Sequence, residues 1–445
     1  MGGQRAGTVA PGMLKRLDLR GLPPDADLRL ALPRPTVGGD EPVDAVRAIL
    51  AEVEARGDAA LREYTARFDG VQLDDLRVPA ADLDAALAGL EPELRAALEE
   101  AHDAIASYHQ GQLGHDHHHE RDGVIVVGMK RPVDRAGLYV PGGRALYPST
   151  VLMTAVPAKV AGVADVALTV PPDRASGRVP AVTLAAARIA GVDEVYAVGG
   201  AQAIAALAFG TETIAPVDVI VGPGNAYVAV AKREVAGRGR VAVPSAFAGP
   251  SEVVVLADAS VPAEYAAIDL VVQAEHGPGG LAWLVCWSED VADAVTAAVE
   301  RLVDAAPRRG DILATLDGNG FAVICDDARQ AVAVSNHIAP EHLELLCDDP
   351  AGLVHLVRHA GAVFCGPLSP ASIGDYVAGP SHVLPTFGSA RFGSALTVDD
   401  FRKHLHVVTV DQAGFDRVGP HVVALARAEG LDAHAQSILL RNRAR

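Results

Sequence analysis

The chain has 445 residues, of which 50% are hydrophobic, 21% charged and 4% aromatic. This length and composition predict a soluble globular protein of two or three domains with aliphatic cores, as in α/β proteins. The formal net charge of −18 argues against nucleic acid or an anionic membrane as the main partner. No apolar run approaches the roughly 18 residues that a membrane span needs.

The N-terminal third predicts an arm followed by helices. The first 21 residues lack the apolar core of a signal peptide, and we interpret residues 1–38 as a loose arm. Residues 41–110 place apolar side chains three and four positions apart, with Gly57 and Gly70 as stop signals, which predicts helices. The histidine-rich run at 115–120 resembles a metal site, but it has no apolar framework, and we interpret it as a solvated loop.

From residue 123 onward, short aliphatic runs alternate with alanine-rich helical stretches, which predicts βαβ units and parallel sheets. The candidate strands are GVIVV, AGLYV, DVALTV, EVYAV, VDVIV, EVVVLAD, LAWLVCW, FAVIC and GAVFC. This many strands favours two sheets over one. The pattern changes after Gly393, which indicates a small separate C-terminal unit with a terminal helix.

The four cysteines are widely spaced, and Cys286, Cys325 and Cys365 lie within the apolar runs. This placement favours buried structural thiols in a reducing cytoplasm. The chain has no CxxC pair, so the cysteines do not indicate a zinc site.

Three glycine clusters stand where candidate strands end: YVPGG at 139–143, AVGGAQAIAALAFG at 197–210 and VGPGN at 221–225. Ligands of open α/β sheets bind beyond the carboxyl ends of strands, where helix N-termini favour phosphates. None of the clusters matches GxGxxG, and an ordinary tight turn explains any one of them. Their occurrence together favours a nucleotide site.

Carboxylates, imidazoles and one amide recur in the C-terminal half. A helix is predicted over about residues 262–276, and it places Gln273 and His276 on one face of its final turn. The candidate ligands are Gln273, His276, Asp375, His382, Glu429 and His434. Zinc accepts such groups when no thiolate is offered, although a lone histidine near a helix C-terminus is also a favourable dipole partner.

The stretch SNHIAPEHLELL at 335–346 places Glu341 and His342 side by side behind Pro340. A surface helix could carry such residues without any function. An imidazole and a carboxylate that reach one carbon are also suited to acid–base chemistry. We interpret the nearby His337 and Glu344 as ordinary helix-face residues.

Several long blocks together resemble the histidinol dehydrogenase family, over roughly residues 40–440. The blocks are GLYVPGG, GGAQAIAALAFGT, VGPGNAYVAVAKR, AGPSEVVVLAD, QAEHGP, NHIAPEHLEL and GDYVAGPSHVLPT, in the family's order. The segment VAVPSAF departs from the family pattern, in which an aspartate is expected ahead of AGPSE.

The resemblance implies an α/β fold with two Rossmann-like parallel-sheet domains, one inserted in the other, and small N- and C-terminal segments. Residues 39–138 and 252–394 would form the first domain, which carries the zinc and catalytic residues. Residues 139–251 would form the inserted NAD-binding domain, and residues 395–445 a C-terminal dimerisation segment.

The resemblance also implies a zinc-dependent oxidation of L-histidinol to L-histidine by NAD, in two hydride steps through an enzyme-held aldehyde. The zinc ligands carry over to Gln273, His276, Asp375 and His434, which also line the substrate site with Glu341. Further substrate contacts carry over to Ser251, His342, His382 and Glu429, and NAD contacts to Tyr139, Gln202 and Asn225. The family is an intertwined homodimer in which Glu429 and His434 serve the partner's active site.

If the chain has the activity that the resemblance implies, His342 is the base of the alcohol step and Glu341 activates water for the aldehyde step. Zinc anchors the amine and imidazole of the substrate. One alternative is a zinc hydrolase acting on a small amine or amide, which leaves the glycine clusters without a purpose. A second alternative is a non-catalytic metal- or nucleotide-binding protein, in which loss of Glu341 or His342 would change nothing.

Overall fold

The structure, a computed structural model, describes residues 13–23, 26–33, 42–143, 146–244, 251–275, 277 and 279–443. Within them the strands are β1 (Lys15–Asp18), β2 (His117–Arg121), β3 (Val124–Pro132), β4 (Arg135–Tyr139), β5 (Asp165–Thr169), β6 (Glu194–Tyr196), β7 (Val219–Val221), β8 (Glu252–Ala257), β9 (Leu281–Cys286), β10 (Gly320–Ile324), β11 (His342–Leu346), β12 (Ala362–Cys365) and β13 (Arg402–Val410).

The helices are α1 (Leu28–Ala31), α2 (Val43–Arg56), α3 (Asp58–Phe68), α4 (Ala80–Ala88), α5 (Pro92–Gln110), α6 (Pro148–Ala161), α7 (Ala181–Ile189), α8 (Gly200–Phe209), α9 (Ala226–Gly237), α10 (Ala263–Glu275), α11 (Glu289–Ala305), α12 (Arg309–Asn319), α13 (Ala328–Ile338), α14 (Pro350–Val354), α15 (Ala371–Tyr376), α16 (Gln412–Ala428) and α17 (Asp432–Arg443). Two short 3-10 turns cover Ser389–Arg391 and Val398–Phe401. No helix of the described residues is long and apolar enough to cross a membrane.

The larger sheet has six parallel strands in the order β1-β10-β9-β8-β11-β12. Alternate residues of β8 enter different cores. Val253 and Val255 pack with α10, α11 and α12 on one face, and Val254 and Leu256 pack with α13 on the other. A strand that is buried on both faces needs apolar residues at successive positions, which explains the uninterrupted aliphatic runs.

A smaller parallel sheet has the order β6-β5-β4-β7. Helices α4 to α7 contribute to the core on one face, and α2, α3, α8 and α9 contribute to the core on the other. Its strands occupy residues 135–221, between β1 and β8 of the larger sheet. The predicted α/β fold with two Rossmann-like parallel sheets is therefore confirmed.

A third, antiparallel sheet of order β13-β3-β2 carries the C-terminal helices. Strand β13 pairs with β3 over its whole length, from Arg402 opposite Pro132 to Val410 opposite Val124. The Asp411 amide then donates to the Gly123 carbonyl at 2.9 Å, at the point where α16 begins. Helix α17 packs against α16. The candidate strand GVIVV belongs to this sheet and not to either parallel sheet.

Three local expectations were wrong. Lys15–Asp18, within the expected loose arm, is an edge strand paired with β10. The histidine-rich run forms the exposed strand β2 and not a loop, because it pairs with β3. Glu344 lies fully buried in β11 and not on a helix, whereas His337 does lie in the last turn of α13. Strands β1 and β2 have polar sequences, and they form because a partner strand supplies the hydrogen bonds, the distant β10 for β1 and the adjacent β3 for β2. Strand β11 forms because it pairs with β8 and β12.

Two further expectations differ from the packing that the structure shows. Helices α2 to α5 share cores with the four-stranded sheet, although residues 39–138 were expected to belong with the other sheet. Their amphipathic pattern shows that one face is buried but not which sheet buries it. Cys286 and Cys325 are buried free thiols as expected, and Cys347 is buried too, but Cys365 is exposed on the edge strand β12.

Candidate active site

The pair Glu341–His342 lies at the amino edge of the six-stranded sheet. Ala339 ends α13 in the left-handed conformation, with φ of 55°, and Pro340 then leads into β11. Because β11 runs parallel to β8, with His342 opposite Val253, the start of β8 lies beside the pair. The chain reversal at Ala339 and the sheet register together bring two segments 90 positions apart into contact.

The Glu341 carboxylate is buried and held by two donors. The Ser251 hydroxyl donates to its Oε2 at 2.5 Å, and the Glu252 amide donates to the same oxygen at 3.1 Å. Burial raises the pKa of Glu341, and the charge on His342 and these donors oppose that rise. The group is thereby oriented and is a stronger base than an exposed carboxylate.

The His342 ring is buried between two carboxylates. Its Nδ1 lies 3.8 Å from Oε2 of Glu341, and its Nε2 lies 3.6 Å from Oδ1 of Asp375. Burial disfavours the protonated ring, but the two carboxylates outweigh burial and raise the pKa of His342. Neither ring nitrogen has a hydrogen-bond partner among the described residues. Buried imidazole nitrogens without partners are uncommon and favour a ligand at this position.

His382 connects this group to the other sheet. Its Nδ1 lies 2.9 Å from the Asp375 carbonyl, and its Nε2 lies 3.0 Å from the Thr150 hydroxyl on α6. Helix α6 packs in the core of the four-stranded sheet. Glu341, His342, Asp375 and His382 are thus assembled where elements of both parallel sheets meet.

The expected zinc ligands are only partly brought together. Gln273 is buried in the last turn of α10, and its Nε2 has no partner among the described residues. Asp375 lies beside His342, but His276 falls outside the described residues. His434, like Glu429, is exposed in the C-terminal helical unit of this chain. The described part of the chain therefore contains no group of three His, Cys, Asp or Glu side chains placed to hold a metal.

The three expected NAD contacts line one cavity of about 710 Å³. Tyr139 ends β4, Gln202 lies in the first turn of α8, and Asn225 caps α9 by accepting from the Val228 amide at 3.2 Å. The Tyr139 hydroxyl accepts from the Gly200 amide at 3.1 Å, and burial raises the pKa of Tyr139 to about 12. The cavity lies at the carboxyl edge of the four-stranded sheet, where parallel α/β sheets bind ligands.

Sequence reasoning missed several buried polar groups around these sites. Glu252 accepts from the Gly388 amide at 3.1 Å, and burial raises its pKa to about 8. Glu344 accepts from the Ala371 amide at 2.8 Å, at the start of α15. Each lies in an aliphatic strand, and a charged residue within such a run is the signal that could have singled it out.

Comparisons with known proteins agree with this architecture. The sequence pattern of the histidinol dehydrogenase family matches residues 32–442. The histidinol dehydrogenase of Synechococcus sp. is 50% identical over 400 residues, 89% of this chain and 91% of that protein. That of Geobacillus kaustophilus is 48% identical over 405 residues, 91% of this chain and 95% of the relative. The crystal structure of histidinol dehydrogenase from Elizabethkingia anophelis superimposes with a TM-score of 0.92 at 34% identity, covering 98% of this chain and 99% of the other.

Proposed function

Because the chain belongs to the histidinol dehydrogenase family, we propose that it oxidises L-histidinol to L-histidine through L-histidinaldehyde, with zinc bound and two NAD consumed. Members of this family are oxidoreductases of histidine biosynthesis. The observation that supports the two-step reaction is the buried pair Glu341–His342, beside which Asp375 lies, together with a separate cavity for a dinucleotide.

In the alcohol step, His342 takes the hydroxyl proton. Its ring is fixed between Glu341 and Asp375, so the imidazolium formed on proton transfer lies between two carboxylates that stabilise it. Its ring nitrogens make no hydrogen bond to the described residues, which leaves them available to the substrate. Burial excludes bulk water from the pair and strengthens these electrostatic interactions.

In the aldehyde step, Glu341 takes a proton from the water that adds to the carbonyl carbon. Its raised pKa makes it a more effective base than an ordinary carboxylate. The Ser251 hydroxyl and the Glu252 amide both donate to Oε2, so Oε1 is the oxygen that faces the water. NAD, when bound, accepts the hydride in each step.

Gln273, His276, Asp375 and His434 would hold the zinc ion, which would orient the amine and imidazole of the substrate. The carboxylate of Asp375, which lies beside His342, suits this role. Exposure of Glu429 and His434 within one chain supports a homodimer in which the partner's copies complete the site. The proposal includes a cytoplasmic location, an inserted NAD-binding domain over residues 139–251 and a dimerisation segment over residues 395–445.

A purified-protein assay with L-histidinol and NAD tests this function. NADH should form, should stop forming after chelation and should resume when zinc is restored. A protein that binds zinc, reduces no NAD and cleaves small amides or esters would instead be a hydrolase, and the proposal would fail.

A further inference from the structure

The dinucleotide cavity has an acidic residue on its wall, Asp69, which follows α3 directly and belongs to none of the three glycine clusters. We propose that Asp69 accepts hydrogen bonds from the ribose hydroxyls of the adenosine half of the dinucleotide, and that it makes the site prefer NAD to NADP. This inference rests on the dinucleotide site of the proposed function. It assigns cofactor specificity to a residue outside the inserted sheet.

The backbone around Asp69 is held on both sides. Its amide closes the last turn of α3 by donating to the Thr65 carbonyl at 2.9 Å. The Arg174 guanidinium donates to the Phe68 carbonyl at 3.0 Å and to the Asp69 carbonyl at 3.1 Å. Gly70 follows with φ of 74°, a left-handed turn that directs the chain away. The carboxylate is therefore presented from a fixed position, as a specific contact requires.

One oxygen of the Asp69 carboxylate has no donor in the part of the chain that the structure describes. This oxygen, Oδ2, is buried. Burial raises the pKa of Asp69 to about 6, a rise that the charge on Arg174 partly opposes, so the group is largely ionised at neutral pH. A buried carboxylate oxygen without a donor is costly, and a ligand hydroxyl would supply the missing hydrogen bond.

The position of Asp69 favours the adenosine half. Helix α3 packs against α2 and α8, both of which contribute to the core of the four-stranded sheet. The reacting nicotinamide must instead reach His342, on the six-stranded sheet. Tyr147, on the cavity wall, immediately precedes α6, and Thr150 in that helix touches His382 of the catalytic group. The nicotinamide would therefore lie against the cavity wall near α6, which is closer to the catalytic group. The adenosine half would lie against the wall formed by α3.

The charges on the cavity wall favour NAD over NADP, which carries a 2′-phosphate on the adenosine ribose. The charged side chains among the described residues of the cavity wall are Asp69, Asp173 and Arg174. Arg174 directs its guanidinium onto two backbone carbonyls, and the Asp173 carboxylate accepts from the amide and hydroxyl of Ser176, each at 2.9 Å. A phosphate beside Asp69 would meet a like charge, whereas a ribose diol would donate to it. Acidic residues distinguish NAD from NADP in this way in other dinucleotide sites.

The test compares wild type, Asp69→Asn and the control Asp103→Asn, which changes an exposed carboxylate of α5 outside the cavity. Calorimetric titration gives Kd for NAD, NADP and an NAD analogue that lacks the 2′-hydroxyl of the adenosine ribose. Wild type should bind NAD about 10–100-fold more tightly than the analogue, the range expected for a hydrogen bond to a charged group. Asp69→Asn should weaken NAD binding by a similar factor and should bind NAD and the analogue with equal affinity. The difference between its Kd values for NAD and NADP should be smaller than in wild type. Asp103→Asn should behave as wild type.

The outcomes separate this inference from the proposed function. If wild type binds neither NAD nor NADH, the dinucleotide site itself is wrong. If wild type binds NAD but Asp69→Asn keeps the same Kd values and the same preference, the role of Asp69 is wrong. If thermal unfolding shows that Asp69→Asn does not fold, the test is the comparison of NAD with the 2′-deoxy analogue in the wild-type protein. Equal affinity for NAD and the 2′-deoxy analogue would then overturn the inference.

Discussion

At the residue scale, the proposed chemistry depends on two adjacent side chains in different surroundings. Glu341 accepts from Ser251 and Glu252, while the His342 nitrogens make no such bond among the described residues. One group is therefore held in place by the protein, and the other remains available to a ligand. This difference supports a separation of roles between the two oxidation steps.

Separate half-reactions should resolve those roles. We expect Glu341→Gln to slow oxidation of the aldehyde more than oxidation of the alcohol, because only the second step needs an activated water. We expect His342→Ala to slow the alcohol step by about 10²–10⁴-fold. His337→Ala, which changes a histidine of the preceding helix, should leave both rates close to wild type. Rapid-mixing measurements with histidinol and with histidinaldehyde check this, and equal slowing of both steps by Glu341→Gln would refute the division.

Glu344 provides a pH-dependent test of the structure. It is fully buried, and burial followed by the neighbouring carboxyl of Asp269 raises its pKa. The folded protein therefore favours the neutral acid, whereas the unfolded chain ionises near the usual value of about 4.3. Stability attributable to this residue is present at acid pH and is lost as the pH rises towards the folded-state pKa.

Glu344→Gln, which is neutral at every pH, should remove that loss. Urea unfolding between about pH 5 and pH 9 should show the stability of wild type falling more steeply with pH than that of the variant. Glu264→Gln, an exposed residue of α10, is the control and should follow wild type. Parallel curves for Glu344→Gln and wild type would contradict the raised pKa.

At the element scale, the two proposed sites lie at opposite edges of their parallel sheets. The dinucleotide cavity lies beyond the carboxyl ends of β4, β6 and β7, as is usual for such sheets. The catalytic pair lies at the amino ends of β8 and β11. Rossmann-like topology thus predicts the cofactor site but not the site of chemistry on the second sheet.

The turn after β7 requires glycine for a steric reason. Gly222 has φ of 110°, and a Cβ there would lie 2.0 Å from the Tyr139 carbonyl oxygen. The buried Lys232 ammonium also donates to the Gly222 carbonyl, so the turn is fixed from a second direction. Gly143 has a similar φ of 117°, but a Cβ there would meet nothing within 4 Å among the described residues.

Gly222→Ala should therefore be more damaging than Gly143→Ala. Both variants carry the backbone strain of a left-handed alanine, about 1–2 kcal/mol, and only Gly222→Ala must also displace the backbone at Tyr139. We expect Gly222→Ala to lower the unfolding free energy further and to weaken NADH binding. Urea unfolding and NADH fluorescence titration measure the two effects. A smaller loss of unfolding free energy for Gly222→Ala than for Gly143→Ala would show that the turn tolerates the clash.

The elements predicted from sequence were those with a strong local pattern. Eight aliphatic runs became strands of the two parallel sheets, because burial on both faces requires apolar residues at successive positions. Strand β11 was missed because Glu344 interrupts its apolar pattern. The adjacency of Glu341 and His342 is visible in the sequence. Their contacts with Ser251 and Asp375 are not, because these depend on strand register and helix packing between distant segments.

At the scale of the whole molecule, the C-terminal unit exposes a large apolar surface. Exposed apolar side chains lie on β13 and on the helices after it, including Val408 at 60% and Leu425 at 64% exposure. The same unit carries Glu429 and His434, which are exposed in one chain. Apolar surface of this extent favours an interface, and a second copy of the chain fits the proposed composite site.

Subunit mixing tests the composite site. Inactive His276→Ala protein mixed with inactive His434→Ala protein should regain activity, because a heterodimer would contain one site with both defects and one with neither. Random exchange should restore at most about a quarter of wild-type activity. Each variant mixed only with itself is the control. No recovery, despite exchange verified by mass spectrometry of tagged subunits, would show that His434 serves its own chain.

The central claim is that one site carries out both oxidations of the substrate. The most direct test is to consume a known amount of L-histidinol with excess NAD, and to count the NADH and histidine formed while trapping any free aldehyde. The account predicts two NADH and one histidine for each histidinol, with little aldehyde trapped. One NADH for each histidinol, with aldehyde accumulating in solution, would contradict it.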